Sequence, residues 1–310
     1  ERITGLTSAL FNLGTGVNPR WVHALDQEIR AGADAIHVHD LPFVRTALAA
    51  AANRDVSVVA DLHENYPEAT RQWRRRWDGG SPYRRVSRQL RRTMMSIPRL
   101  KRLERSCVTH ADRVLTVCQE GKTHYVTDCG ANPDSVYEIS NTVDLNQFDN
   151  HLHRGTKTSG DHESPPSQSD GGTQANGGAR NWDRPSDMPE GVVASYVGRL
   201  GVHRGLETVL GALAHRNDTT DTPMQLVIVG PDDNDNADAL RAHARTLGVS
   251  DQLCFVGWVD FEDVPRYMAA SDICLVPHAA TPHTETTIPH KLFQYMAAAR
   301  PVLVTDVPPL

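Results

Sequence analysis

The chain has 310 residues, enough for two domains of ordinary size. It is 23% charged and 39% hydrophobic, with 22 Gly and 19 Pro, a composition that excludes collagen, coiled coil and wholesale disorder. Net charge is −6, yet residues 71–105 hold twelve Arg and one Lys against two acids, Asp78 and Glu104, so the remainder is strongly acidic.

No run of ~18 apolar residues offers a membrane span. The first residues, Glu1-Arg2-Ile3-Thr4, lack the basic start and apolar stretch of a signal peptide. The five cysteines, Cys107, Cys118, Cys129, Cys254 and Cys274, are odd in number and contain no CxxC. That spacing argues against a disulfide framework or a zinc site and for a reducing, cytoplasmic compartment. Four Lys against 28 Arg, and 26 Asp against 12 Glu, give the acidic, Lys-poor balance expected of a high-salt organism.

In chain order, Ala35–Asp40 reads as a strand, residues 42–53 as an Ala-rich helix and Asp55–Asp61 as a second strand ending in Asp61-Leu62-His63-Glu64. A basic, partly helical region runs to about residue 108. Strand Arg113–Cys118, helix 119–129 and strand Ser135–Ser140 follow. Residues 150–190, built from Ser, Gly, Asp, Asn, Pro and Thr, read as a disordered linker or insertion. Alternation restarts with strand Val192–Val197 and helix Leu206–His215, then strand Gln225–Val229 and helix Ala237–Leu247. Strand Leu253–Val256, helix 262–271 and strand Ile273–Val276 come next, then helix Pro289–Ala299 and strand Val302–Thr305. Alternating strands and helices imply parallel sheets. The expected architecture is α/β, with two Rossmann-like doubly wound domains facing a cleft, spanning 1–149 and 191–310 around the 150–190 insertion.

The turn Gly198-Arg199-Leu200-Gly201-Val202-His203-Arg204-Gly205 joins a strand to a helix. Its glycines let backbone approach a ligand, and Arg199 and Arg204 bring fixed charge, so a diphosphate is the expected guest. An ordinary βα turn with solvated arginines is the plainer reading. A second candidate is Thr284-Glu285-Thr286-Thr287-Ile288-Pro289-His290-Lys291, which opens a helix. Thr286 and Thr287 supply hydroxyls, Lys291 supplies charge, and Glu285 can hold ribose or sugar hydroxyls. Leu292, Phe293, Met296 and Ala297 are the expected buried face; a capped structural helix with a surface Lys291 is the alternative. His37-x-His39-Asp40 and Asp61-x-His63-Glu64 both sit at strand ends. Such imidazoles and carboxylates also suit zinc or manganese, as in a metal-dependent hydrolase.

The basic region interleaves Arg74-Arg75-Arg76 with Trp73, Trp77 and Tyr83. Arg with aromatics suits an anionic membrane surface, at ~1 kcal/mol per basic residue, and equally a solvated face paired with the acidic remainder.

Several linked segments together resemble the nucleotide-sugar-binding half of a GT-B glycosyltransferase of family 4. They are Tyr196-Val197-Gly198-Arg199-Leu200…Arg204-Gly205-Leu206-Glu207, Leu226–Gly230, Phe255-Val256-Gly257-Trp258-Val259, Ser271–Pro277 and Pro289–Ala297…Arg300-Pro301-Val302. Asp61–Asn65 and Ser140–Asp144 resemble first-domain segments of the same family. The resemblance implies a retaining hexosyltransferase that takes a sugar from a nucleoside diphosphate, uridine first, to a glycan or lipid-linked acceptor in polysaccharide or glycoconjugate synthesis. It implies no cofactor, no metal and no nucleic-acid partner. A lipid-linked acceptor fits a cytoplasmic protein held peripherally on the inner membrane face through 71–105.

On that resemblance His63, Arg199 and Lys291 are the expected catalytic residues. Donor binding falls to Gly198, Arg199, Arg204, Gly230, Gly257, Val259, Glu285, Thr286, Thr287, Lys291 and Gln294. Thr286 and Gln294 stand where many members carry a Glu-x7-Glu pair, and Arg204-Gly205 stands for a Lys-Gly. Relative to the family the chain lacks its first strand, unless Asn12–Gly16 is a remnant, and stops before the final helices. A GT-B epimerase or a non-catalytic sugar-binding module shares the same motifs.

Overall fold

The computed structural model describes residues 16–75, 96–152, 184–217, 223–232 and 235–310. Most of the Asn12–Gly16 segment, residues 76–95 of the basic region and residues 153–183 of the insertion lie outside the described residues.

Two parallel sheets form. The first runs β1 (Ala35–His39), β2 (Ser57–Leu62), β3 (Arg113–Thr116), β4 (Val136–Glu138), in that order. Its helices are α1 (Pro19–Arg30), α2 (Leu41–Ala51), α3 (Tyr66–Arg75), α4 (Ile97–His110), α5 (Gln119–Thr123) and α6 (Leu145–Leu152). The second sheet contains β5 (Val192–Val197), β6 (Met224–Val229), β7 (Leu253–Gly257), β8 (Ile273–Val276) and β9 (Val302–Val304), in the order β7-β6-β5-β8-β9. Helices α7 (Leu206–Asn217), α8 (Asp235–Thr246), α9 (Val264–Ala269) and α10 (His290–Ala297) cover it.

The central strands β5 and β6 are almost wholly apolar, Ser195 and Gln225 apart, because both their faces are covered. Val193, Val197, Val227 and Val229 enter one core with Tyr295, while Ala194, Tyr196, Leu226 and Ile228 enter the other with Leu210. Successive side chains of a strand point to opposite faces, so one run of residues fills two cores. The strand order reverses between β5 and β8, and the loops leaving their carboxyl ends diverge there to open a crevice.

Three expectations change. The helix expected over 119–129 stops at Thr123 and continues as a single π turn, His124–Asp128. Pro289 is not in the first turn of α10. It stands before it in extended conformation, φ −73° and ψ 134°. On α10, Met296 is 61% exposed, while Tyr295 is fully buried. Its hydroxyl accepts the Val197 N–H at 2.9 Å, and that bond turns the Tyr295 side of the helix to the sheet.

Candidate active site

The crevice is built by three loops. After β5, the Tyr196 hydroxyl donates to the Arg199 carbonyl at 2.9 Å and closes the Gly198 turn. Gly198 has φ 127°, and a side chain there would stand 3.1 Å from the Lys291 ammonium. Gly205 has φ 68°, and an added Cβ would overlap the Pro277 carbonyl oxygen and lie 3.0 Å from its carbon. Only glycine allows that close approach of the β5 and β8 loops. The Ala279 N–H then bonds the His203 carbonyl at 3.0 Å. Gly230 packs against the Gly198 carbonyl, and its N–H reaches the Gly257 carbonyl at 2.8 Å, so three strand ends are held together.

Two cations converge on this turn. Lys291 lies just inside α10 and sets its Nζ over the Tyr196 ring, 3.6 Å from the centroid. Burial, and then the Arg204 guanidinium, hold its ammonium well below the usual lysine range. Arg204 donates from Nη1 to His278 Nε2 at 2.9 Å. Arg has no acceptor, so His278 presents a lone pair at Nε2 and carries its proton on Nδ1. Among the described residues neither Lys291 nor Arg204 is in an ion pair.

Three imidazoles surround them. Burial, with Arg204 next, pushes His203 down to about 3, His278 to about 2 and His283 to about 4. All three are therefore neutral. The Nδ1 atoms of His278 and His283 are buried without a hydrogen-bond partner. A pocket with two cations, neutral rings and orphaned ring nitrogens is short of an anion and of hydrogen-bonding partners.

The first lobe closes on the same loops. Thr287 donates to the His63 carbonyl at 2.7 Å, and Asn141 donates to the Ile288 carbonyl at 2.7 Å. Glu64 Oε2 lies 3.7 Å from His283 Nε2. Burial, with Asp40 nearby and Arg204 opposing, pushes the Glu64 carboxyl up to about 7.

The other expected site residues divide. Thr286 donates to the Pro282 carbonyl at 2.9 Å, and the Glu285 N–H bonds the Thr281 carbonyl at 2.9 Å, so both help fold the loop before α10. Val259 packs on the core beneath the β7 loop, and Gly257 turns there with φ 85°. Arg199 is exposed at the rim. Gln294 lines a separate 130 Å³ cavity with Thr142, Phe148, Phe261 and His290. The His63 ring meets the end of β1, with Nε2 3.4 Å from His39 Nδ1 and 3.4 Å from Asp61. His37 and His39 each lie 3.1 Å from Asp61, so the four candidate metal ligands do cluster, three half-exposed imidazoles around a largely buried carboxylate. His278 and His283 carry no signal in the sequence, while Glu64 reads there only as a candidate metal ligand beside His63 and His203 only as a member of the Gly198–Gly205 turn. The signal for Glu64 is its place after the strand-end His63, and the three imidazoles come from two loops, His203 from the one after β5 and His278 and His283 from the one after β8.

Sequence profiles agree with this architecture. Residues 3–147 match the profile described as Glycosyltransferase Family 4, and residues 191–310 match that described as Glycosyl transferases group 1. Both lobes thus match glycosyltransferase profiles, the second that of the group 1 glycosyltransferases. Over 119 residues it is 28% identical to a Bacillus subtilis (strain 168) protein named, provisionally, as the teichuronic acid biosynthesis glycosyltransferase TuaH; that stretch is 38% of this chain and 28% of that protein. The fold is similar to that of Anabaena HepE in complex with UDP and glucose, with TM-score 0.61 and 16% identity over 92% of this chain and 62% of that one. It is also similar to the sucrose-phosphate synthase of Thermosynechococcus elongatus, with TM-score 0.60 and 17% identity over 93% and 60%. The chain thus spans less than two thirds of the length of each of these relatives.

Proposed function

We propose that the protein transfers a sugar, with retention, from a nucleoside diphosphate donor to a glycan or lipid-linked acceptor in surface-polysaccharide or glycoconjugate assembly. The observation that carries this reading is the convergence of Lys291 and Arg204 on the Gly198 turn without a carboxylate partner. A bound diphosphate would supply the missing charge. Uridine is the first candidate for the base, because HepE has been crystallised with UDP and with UDP-glucose. The name of the B. subtilis relative supports a polysaccharide product.

The acceptor oxygen forms a bond to the anomeric carbon as the bond from that carbon to the phosphate oxygen breaks. The acceptor proton passes to the departing phosphate oxygen, so no carboxylate nucleophile is needed. Arg204, Lys291 and, from the rim, Arg199 neutralise the charge that builds on the diphosphate, each such donor contributing about 3–4 kcal/mol in the transition state. In this reading they do the work of a metal ion, and none is required. Glu64 and His63 line the acceptor side. Among the described residues no helix is long and apolar enough to cross a membrane. Association with a lipid surface through the basic region 71–105 belongs to the same proposal.

Thermal melting against UDP, GDP, ADP and their sugars tests it. A ligand at a hundred times its dissociation constant stabilises by ~2.7 kcal/mol. One nucleotide family is expected to raise the melting temperature, and its sugar to be turned over onto an acceptor. No shift with any of them would remove the reading.

A further inference from the structure

A second cluster of chemically able side chains lies in the first lobe, away from the crevice loops. Glu104 comes from α4, and His124 and Cys129 flank the π turn. Glu104 is 2% exposed, Cys129 is 6% exposed, and the His124 side chain is 12% exposed. His124 Nε2 lies 3.3 Å from Glu104 Oε2, Cys129 Sγ lies 3.6 Å from the same oxygen, and Sγ lies 3.6 Å from Nε2. A tetrahedral zinc ion binds sulfur at about 2.3 Å and nitrogen or oxygen at about 2.0–2.2 Å. Those bond lengths place neighbouring donor atoms about 3.3–3.6 Å apart, so the three atoms already outline one face of such a tetrahedron.

We propose that Glu104, His124 and Cys129 bind a single divalent cation of the zinc class. Two further features support the site. Asp128 Oδ2 accepts from His124 Nδ1 at 2.9 Å. That bond fixes the ring with Nε2 towards Glu104 and Cys129, and a carboxylate behind a ligating imidazole is the usual support of a metal-bound histidine. The π turn is the second. Residues five apart on an α-helix face about 140° away from each other. Here the Cys129 N–H bonds the His124 carbonyl at 3.2 Å, and the wider turn brings both side chains to one point. A thiolate donor selects zinc or cobalt(II) over magnesium or calcium. Three protein donors leave a fourth position for water. Binding releases to solvent the thiol proton and the proton that His124 Nε2 shares with Glu104.

The ion braces α4 against the π turn. The same turn carries Tyr125, whose hydroxyl donates to the Glu64 carbonyl at 3.0 Å, so the brace bears on the strand end that carries Glu64. Cysteine spacing gave no warning of the site, because its ligands are of three residue types and one lies twenty positions from the next.

Cobalt(II) loading of the chelator-stripped full chain provides the test. One equivalent is expected to bind and to produce a thiolate-to-cobalt charge-transfer absorption in the near ultraviolet. Zinc should displace it and raise the melting temperature. Cys129→Ser should lose the band, Cys254→Ser should keep it, and Asp128→Asn should weaken binding by about tenfold or more. If Cys129→Ser does not fold, alkylation of the native chain followed by mass spectrometry gives the same answer: zinc should slow modification of Cys129. Cobalt bound without the sulfur band would put the ion on His37, His39 and Asp61 and overturn the proposal. So would no binding, or a band that survives in Cys129→Ser, or unchanged Cys129 reactivity. None of these readouts depends on transferase activity.

Discussion

Lys291→Met should stabilise the ligand-free protein while crippling it for diphosphate. The ammonium sits over Tyr196 with Arg204 nearby, and burial holds its proton affinity well below the ordinary lysine range. A buried cation costs several kcal/mol, and the contact with the Tyr196 ring offsets about 2 kcal/mol of that. Methionine keeps the length and removes the charge, so a gain of about 1–3 kcal/mol is expected, ~4 °C of melting temperature per kcal/mol for a unit of ~120 residues. The unfolded chain binds the Lys291 proton more tightly than the folded one. The gain should therefore be absent above pH ~10.4 and grow as pH falls below it. With diphosphate present the sign reverses. Loss of one charge-assisted donor costs about 2–4 kcal/mol of binding, ~30-fold to ~1000-fold in the dissociation constant. Melting curves with and without UDP, together with titration calorimetry, read both effects. A destabilised ligand-free variant, or one that binds UDP like the wild type, would refute the reasoning.

Gly205→Ala should cost at least about 3 kcal/mol in denaturant unfolding, because the new Cβ overlaps the Pro277 carbonyl in a left-handed conformation; a cost below ~1 kcal/mol would mean the loops do not meet there. Tyr295→Phe should cost about 1–3 kcal/mol by the same measurement, since it leaves the buried Val197 N–H unpaired. The Glu64 carboxyl titrates at about 7 when folded, above its unfolded value, so its contribution of about 3 kcal/mol is present below pH ~4.5 and fades as pH rises to ~7. The stability difference between Glu64→Gln and wild type should follow that curve, and a flat difference would place Glu64 in solvent. His203, His278 and His283 act oppositely: folded values of about 3, 2 and 4 give stability that is complete above pH ~6.5 and lost progressively as pH falls from there to about 2. Unfolding of Glu64→Gln at pH 5 should therefore take up close to three protons from these rings, seen as the slope of stability against pH.

The second sheet was legible because its central strands are covered on both faces and must be nearly apolar runs, as in Leu226–Val229. The turns were legible because close backbone approach needs glycine, as Gly198, Gly205 and Gly230 show. What was hidden depended on partners distant in sequence. Periodicity placed Met296 inside α10, yet the hydroxyl of Tyr295 decides which side meets β5. Lys291 reads equally well as a surface residue until Tyr196 is placed beneath it. No spacing rule links His203 to His278 and His283, or Glu104 to His124 and Cys129, because in each set one member comes from an element distant in sequence from the other two. The metal-like grouping of His37, His39, Asp61 and His63 was readable from strand ends, and the pairing of β1 with β2, which sets His39 opposite Asp61, brings it together.

The central claim is that the Gly198 turn, Arg204 and Lys291 together form the diphosphate site. Its most direct test is a crystal structure of the protein grown with UDP. The two phosphates are expected against the Gly198 backbone, within hydrogen-bond reach of Arg204 and the Lys291 ammonium. Nucleotide density elsewhere, with Lys291 still lying over Tyr196 and no phosphate beside it, would contradict the account.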